Sequence, residues 1–404
     1  MLVLLEDIPA EGQTRPADRA KAQLFYELAK GSTTRKRLAS GLGIRPSTVS
    51  QLISEMIADG LIAEGNVAAS TRKGRPEIPL EVVSDRVAIP VLFMVSDRIR
   101  GVLVDIAGNR LAATETRLSA DEADNETLLD AFARVAVALV ASKPEHARIP
   151  ALGISIPGIV DRTARRWIYA ARWPRMAGVD FADLERRLKI PVRIERNLNV
   201  ELRARLQRRQ DERTQSVLFV HWGYGIGSVF AQNGRILESS IGGLGEFGHW
   251  TVVPHGDHCL CGQAGCLETE AALWALLPRL QKEHPEVPSE EWEFETFLRK
   301  IDPCEMRELR GALDVFCRAL RNLYMVFFPD RIVLTGPFVQ QPSIMTRLEA
   351  DFHGNIPPYA KGRVTLRAAR PGVDDEIVGT ALPLLRAELG RLLSAHDSTA
   401  ASKQ

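Results

Sequence analysis

The residues best suited to chemistry are one histidine and three cysteines gathered into a short stretch. His249, Cys259, Cys261 and Cys266 follow the pattern H-x9-C-x-C-x4-C over 18 residues. Thiolates and an imidazole are the ligands that tetrahedral Zn²⁺ takes, and a Cys3His set with no fifth donor reads as a closed structural site. Gly256, Gly262 and Gly265 supply bends that let a short loop wrap an ion. His255 and His258 are near enough in sequence to be rival ligands. The competing readings are three buried free thiols, or a disulfide between two of them; clustering in a chain with five cysteines favours the metal. Cys304 and Cys317 lie on or beside an apolar helix and read as core residues.

A second set of residues suits nucleic acid. Val49, Leu52, Ile53, Met56 and Ile57 fall at i, i+3, i+4, i+7 and i+8, one stripe of an amphipathic helix, with Pro46 at its first position. A shorter helix over Thr33 to Ser40 and a Gly41-Leu42-Gly43 turn precede it, which is the helix-turn-helix pattern. Arg45, Ser47, Thr48, Ser50, Gln51 and Ser54 then occupy the outward side, where short hydroxyl and amide groups reach base edges and phosphates. Thr71-Arg72-Lys73-Gly74-Arg75-Pro76, between two apolar runs, reads as a basic wing that would place Arg72, Lys73 and Arg75 on DNA. The bland alternative is a helical protein-interaction module with a solvated basic face.

Charge separates that module from the rest. The 404-residue chain has 52 Lys and Arg against 51 Asp and Glu, a net charge of +1. Residues 30 to 76 hold eight basic and three acidic side chains, so the remainder is mildly acidic. Beyond residue 86, short apolar strands (Val91 to Val95, Val102 to Val104, Ala151 to Ile156, Val217 to Val220, Ser228 to Ala231, Ile332 to Thr335, Val364 to Ala368) interleave with helices (Glu126 to Ala141, Val179 to Leu188, Val200 to Gln210, Glu268 to Gln281, Glu305 to Phe328, Asp375 to Leu389). Such alternation means an α/β domain, long enough for two lobes with a ligand cleft between them. The expected division is an extension over 1–17, a winged helix-turn-helix over 18–82, a two-lobed sensing domain over 86–390 and a disordered tail over 391–404. No apolar run is long enough to span a membrane, and Met1 to Asp7 turns acidic at once rather than reading as a secretory signal; a cytoplasmic protein is expected.

The segment Ile241-Gly242-Gly243-Leu244-Gly245-Glu246-Phe247-Gly248-His249, with Cys259-Leu260-Cys261-Gly262-Gln263-Ala264-Gly265-Cys266-Leu267-Glu268, strongly resembles the signature of the ROK family of repressors and sugar kinases. Leu152 to Asp161, containing Pro157-Gly158, resembles the family's sugar-side strand and loop. With a helix-turn-helix in front, the arrangement is similar to the repressor branch. The resemblance implies an actin-like, two-lobed ATPase fold, operator DNA as partner, and a sugar or sugar-derivative effector held by Gly158, Arg196, Asn197, Glu246, His249 and Glu268. Zinc is then scaffolding for the effector site. Carboxylates suit this task because each oxygen accepts from a hydroxyl. A structural reading of Glu246 and Glu268, as helix caps or ion-pair partners, stands beside it.

Three departures from the family's kinases argue against catalysis. The D-x-G-G-T turn that holds ATP phosphates is replaced by Phe93-Met94-Val95-Ser96-Asp97. Asn197, in Glu195-Arg196-Asn197-Leu198-Asn199, falls on the aspartate that takes the sugar's proton, and an amide is no general base. A phosphate-side glycine pair reads Thr335-Gly336-Pro337. The expectation is a sugar-controlled transcriptional repressor with no enzymatic activity and at least a homodimer, since two-fold operators pair with helix-turn-helix dimers. The alternative is a ROK sugar kinase with a fused regulatory domain. Arg196 replaces the asparagine of the family's motif: either it forks onto an acidic or phosphorylated effector, or it closes the site by pairing with Glu246 or Glu268, or it turns to solvent or to an ion pair elsewhere.

Overall fold

Local signals set the first elements. Thr34 accepts a hydrogen bond from the Arg37 N–H and so starts one helix, while Gly43, at φ 65°, ends it in the left-handed conformation. Pro46 opens the next. The computed structural model describes residues 15–65, 77–239, 241, 246–303, 305–370, 372 and 374–394. Its amino-terminal module comprises α1 (Pro16–Ala29), β1 (Thr33–Thr34), α2 (Arg35–Leu42), α3 (Pro46–Ala58), β2 (Ile62–Glu64) and β3 (Pro79–Val82). The strands form a small antiparallel sheet in the order β1-β3-β2. Arg72, Lys73 and Arg75 lie outside the described residues, as does Cys304.

The first lobe contains β4 (Ala88–Val95), β5 (Arg98–Asp105), β6 (Arg110–Arg117), α4 (Asn125–Ala141), β7 (Leu152–Ile156), the short strands β8 (Ile159–Asp161), β9 (Arg166–Tyr169) and β10 (Val179–Asp180), then α5 (Ala182–Leu188) and β11 (Val192–Arg196). The helices α6 (Asn197–Arg208) and α7 (Gln210–Arg213) lead to the second lobe. That lobe holds β12 (Ser216–Trp222), β13 (Ile226–Gln232), β14 (Arg235–Ile236), α8 (Leu267–Ala271), α9 (Leu273–Glu283), α10 (Glu291–Leu298), α11 (Arg307–Phe327), β15 (Arg331–Thr335), α12 (Pro342–Asn355) and β16 (Thr365–Ala368). Finally α13 (Asp375–Leu393) returns to the first lobe.

The two five-stranded sheets repeat one plan: β11-β7-β4-β5-β6 and β16-β15-β12-β13-β14, each with two parallel pairings followed by two antiparallel ones. Leu198, Leu202 and Leu206 of α6 pack on the second sheet with Val217, Phe219 and Val333. Ile377, Ala381 and Leu385 of α13 pack on the first sheet with Ile89, Val91 and Val104. The two helices touch each other: a Cβ at Gly379 would stand 2.0 Å from the Val200 carbonyl oxygen, so only glycine permits this approach. Phe25 and Leu28 of α1 and Ile53 and Met56 of α3 belong to the same apolar core as α13 and the first sheet. The amino-terminal module is therefore packed onto the first lobe rather than tethered to it.

Several elements differ from the sequence expectation. Val179 and Asp180 form β10, and the helix begins only at Ala182. The helix expected from Glu268 to Gln281 breaks at Ala272, whose backbone is extended at ψ 146°. That break frees the Leu273 and Trp274 N–H groups to donate to the carbonyls of Gly223 and Tyr224, at 2.9 and 3.2 Å. At the end of the chain α13 runs past residue 389 because Leu392 and Leu393 are buried in the shared core. Residues 395–404 lie outside the described residues. Among the described residues, no helix is long and apolar enough to cross a membrane.

Candidate functional site

The loop between β14 and α8 has little regular structure and is held by local bonds. Phe247–His249 forms a single 3-10 turn. The Cys259 N–H donates to the Gln263 carbonyl at 2.7 Å, and the Gly265 N–H to that of Asp257 at 2.9 Å. Gly265, at φ 73°, lies so close to the Val253 carbonyl oxygen that a Cβ would sit 1.8 Å from it. These bends bring His249, Cys259, Cys261 and Cys266 together, with one ligand atom from each inside a 4.8 Å span.

The spacings fit a four-coordinate metal. Cys261 Sγ and Cys266 Sγ are 3.8 Å apart, and Cys259 Sγ is 3.6 Å from His249 Nδ1. Tetrahedral Zn²⁺ with bonds of about 2.3 Å to sulfur and 2.0–2.1 Å to nitrogen would give about 3.8 and 3.6 Å. Burial and the neighbouring thiols push the Cys259 and Cys266 pKa values up, the environment that a dication reverses. His255 and His258 are exposed and stand outside the quartet. Cys317 is buried in the second-lobe core, its thiol pushed up to about 11 by that burial.

His249 also faces a cleft between the lobes. Gly158, Arg196, Asn197, Glu246 and Glu268 line the same cleft, whose volume is about 380 Å³, so all six residues that the resemblance assigned to an effector meet there. Arg196, at the end of β11, is 5 % exposed. One guanidinium nitrogen donates to the Ser228 carbonyl at 2.8 Å and another pairs with Glu246 Oε1 at 3.1 Å. Of the three placements open to Arg196, the geometry is the one that pairs it with Glu246. Glu268 is 4 % exposed; its oxygens accept from the Ile226 N–H at 2.7 Å and the Trp274 indole N–H at 3.1 Å. Asn197 is the first residue of α6, half-buried at the cleft wall.

The cleft contains further groups that sequence reasoning did not single out. Arg172, in the loop after β9, stacks on Tyr224 of the second lobe at 4.1 Å and pairs with Glu290 at 3.2 Å, fastening one lobe to the other. Glu291 accepts a short hydrogen bond from the Tyr224 N–H and lies 3.4 Å from His221 Nε2. Burial alone would raise the Glu291 carboxyl; hydrogen bonds from His221 and Tyr224 bring it below the ordinary range. Conversely, burial would lower His221 and the Glu291 partner raises it. Glu201, one turn beyond Asn197 on α6, and Glu376, at the start of α13, complete the wall. No local motif announced these positions. Each is an ordinary helix or strand residue until the two lobes are brought face to face.

On the amino-terminal module, Arg45, Ser47, Ser50 and Gln51 are exposed and Thr48 partly so, along the outer side of α3. Gln51 donates to Glu55 at 3.2 Å and Ser54 to the Ser50 carbonyl at 2.8 Å, bonds internal to that helix. The opposite side of α3, with Val49, Leu52, Ile53 and Met56, is buried.

Comparison with known proteins gives the architecture its context. The xylose repressor of Caldicellulosiruptor bescii is 24 % identical over 319 residues, 74 % of this chain and 78 % of its own. The DNA-binding transcriptional repressor Mlc of Escherichia coli is 23 % identical over 361 residues, 85 % of this chain and 87 % of its own. Among solved structures, a ROK family transcriptional regulator described as a homologue of the E. coli MLC protein superposes with a TM-score of 0.69 at 20 % identity, covering 93 % of this chain and 97 % of that one. A ROK family glucokinase from Streptomyces griseus, in complex with glucose and AMPPNP, gives 0.59 at 21 % identity over 75 % of this chain and 99 % of its own. The fold is thus the actin-like, two-lobed arrangement preceded by a small helical module with a three-stranded sheet. The ROK family model matches residues 95–386, and the chain belongs to the ROK family.

Proposed function

We propose that the protein is a DNA-binding transcriptional repressor whose operator affinity is set by a sugar-class effector in the interlobe cleft. The observation that carries this reading is the shared core of α1, α3 and α13: a helix that begins at the cleft is packed, at its other end, against the helix-turn-helix. A ligand that prefers one arrangement of the lobes therefore biases the placement of α3, and only through that difference in affinity. Relatives named as a xylose repressor, as the repressor Mlc and as the N-acetylglucosamine repressor support the same reading.

Within the cleft, Glu246 and Glu268 would accept from effector hydroxyls, with Gly158 and Asn197 beside them. The metal quartet is read as structural Zn²⁺ that fixes the His249 imidazole on the cleft wall. Arg196 is already neutralised by Glu246, which argues against an acidic ligand. Absence of kinase activity is part of the proposal. Asn197 offers no base, the β4–β5 turn is Ser96-Asp97, and Glu201 lies one helical turn from Asn197, where a transferring phosphate would meet like charge.

A homodimer is proposed because operator symmetry matches paired helix-turn-helix units. Ser47, Thr48, Ser50, Gln51 and Arg45 would face the major groove, with Arg72, Lys73 and Arg75 on phosphates. Gel-shift titration against the DNA upstream of the protein's own gene and against selected sites tests the reading. Salt-sensitive binding that a sugar shifts is expected; no binding to either, or ATP-dependent phosphorylation of a hexose, overturns it.

A further inference from the structure

We propose that the effector carries a protonated amino group, held between Glu201 on α6 and Glu376 on α13, so that the ligand class is an amino sugar or a related aminopolyol. This rests on the effector reading above and adds to it the charge of the ligand. Five glutamates line the cleft, and three of them are satisfied by neighbouring groups. Glu246 has Arg196, Glu268 has two N–H donors, and Glu291 has His221 and the Tyr224 N–H. Two carboxyls remain. Glu201 is 7 % exposed, and its Oε2 is buried without a hydrogen-bond partner. Glu376 accepts only a long 3.4 Å bond from the Ser155 hydroxyl.

Both residues line the cavity, and neither has a Lys or Arg ion-pair partner among the described residues. Buried carboxyls without a cation are costly, and ligand-binding clefts are where such groups are retained for use. Burial pushes Glu201 up to about 7 and, with the Glu201 charge nearby, Glu376 well above the ordinary carboxyl range, the response of acids that lack a counter-charge.

The donor set favours an organic cation over a metal ion. Among the described residues, the cysteine–histidine quartet is the one group of His, Cys, Asp and Glu compact enough to hold a metal ion. Glu201 and Glu376 therefore belong to no set of three or more donors that would close on a metal ion. An ammonium group has three N–H donors and spans separate acceptors. Its position also carries meaning, because α6 is packed on the second sheet and α13 on the first. One amino group bridging the two carboxylates would tie the lobes together.

Calorimetric titration of the metal-loaded full chain tests this. The probes are glucosamine, galactosamine and mannosamine, each against its parent hexose and its N-acetyl derivative at pH 7. At least one amine should bind 10-fold or more tightly than both counterparts. In Glu201→Gln and Glu376→Gln, isosteric changes that remove charge without a cavity, that ratio should fall to about 1. An amine that binds no better than its parent, or a preference that survives both substitutions together, overturns the proposal. Parent hexoses that bind and shift operator affinity while the amines show no advantage would sink the amine and leave the effector reading standing. If none of the sugars binds or alters DNA affinity, both fall.

Discussion

The two lobes share a strand plan and differ at the turn each presents to the cleft. In the first lobe the β4–β5 turn is Ser96-Asp97, and the Asp97 carboxylate is turned aside to Arg117 at 2.5 Å. In the second, the β12–β13 turn is Gly223-Tyr224-Gly225, and its backbone grips the chain's own Glu291. The supports differ as well. Trp222, at the end of β12, is stacked between Phe316 and Phe338 at 4.0 and 4.5 Å, and α9 donates two N–H bonds to the turn. One scaffold has thus been kept twice while the two turns took different duties: the first is an ordinary hairpin, the second a supported wall joined to the loop that carries the cysteine–histidine quartet.

The sharpest test of that asymmetry is removal of the metal. Chelation, or Cys261→Ser, should cost the second lobe several kcal/mol of local stability and weaken effector binding about 100-fold. Hydrogen exchange should lose protection around residues 226, 249 and 266 while β4 and β7 stay protected; uniform loss across both lobes would erase the distinction. Next in size is Trp222→Ala, expected to cost about 3–5 kcal/mol in urea unfolding, against about 2 kcal/mol for Met94→Ala near the matching end of β4. Equal costs would mean that the two turns are equally supported.

A smaller effect is pH dependence. The folded chain holds the Glu201 proton more tightly than the unfolded chain does, from a pKa of 4.5 up to about 7. Its stabilisation is therefore complete below pH 4.5 and is lost as pH rises through 7. Between pH 5.5 and 8.5 the loss from Glu201 alone is about 2 kcal/mol. Glu376 and His221, both raised, act in the same direction, while the contribution of Glu291, lowered, is already complete above pH 4.5 and does not vary in this range. Glu201→Gln should flatten the urea-midpoint profile across that range. An unchanged profile would show that this carboxyl does not titrate there. Least of all should Asp97→Ala matter, since its partner Arg117 is exposed: no measurable change in melting or in effector affinity is expected.

What the sequence disclosed depended on how far apart in the chain the cooperating residues lie. The metal quartet was legible because its ligands and the glycines that bend the loop fall within 18 residues. The α3 stripe and the Pro46 and Gly43 boundaries were legible for the same local reason. Arg196 was noticed only as a departure from a motif, and its pairing with Glu246 needed the fold. Glu201, His221, Glu291, Glu376 and Arg172 were invisible because each is defined by its surroundings on other elements, some across the cleft. The break at Ala272 was missed for a different reason: neither glycine nor proline marks it, and tertiary bonds to Gly223 and Tyr224 impose it.

The terminal helix deserves to be considered as a lever. Its 19 residues make it about 28 Å long, with Gly379 resting against Val200 close to the cleft end and Leu389, Leu392 and Leu393 buried beside α1 at the other. With the pivot near one end, the arms are unequal, and a tilt of about 5° would move the far end by roughly 2 Å. Small rearrangements at the cleft end would thereby be magnified where α13 meets the amino-terminal module. The same geometry makes residue 379 the pivot itself: a methyl group there would push α13 off α6, where its Cβ would meet the Val200 carbonyl oxygen.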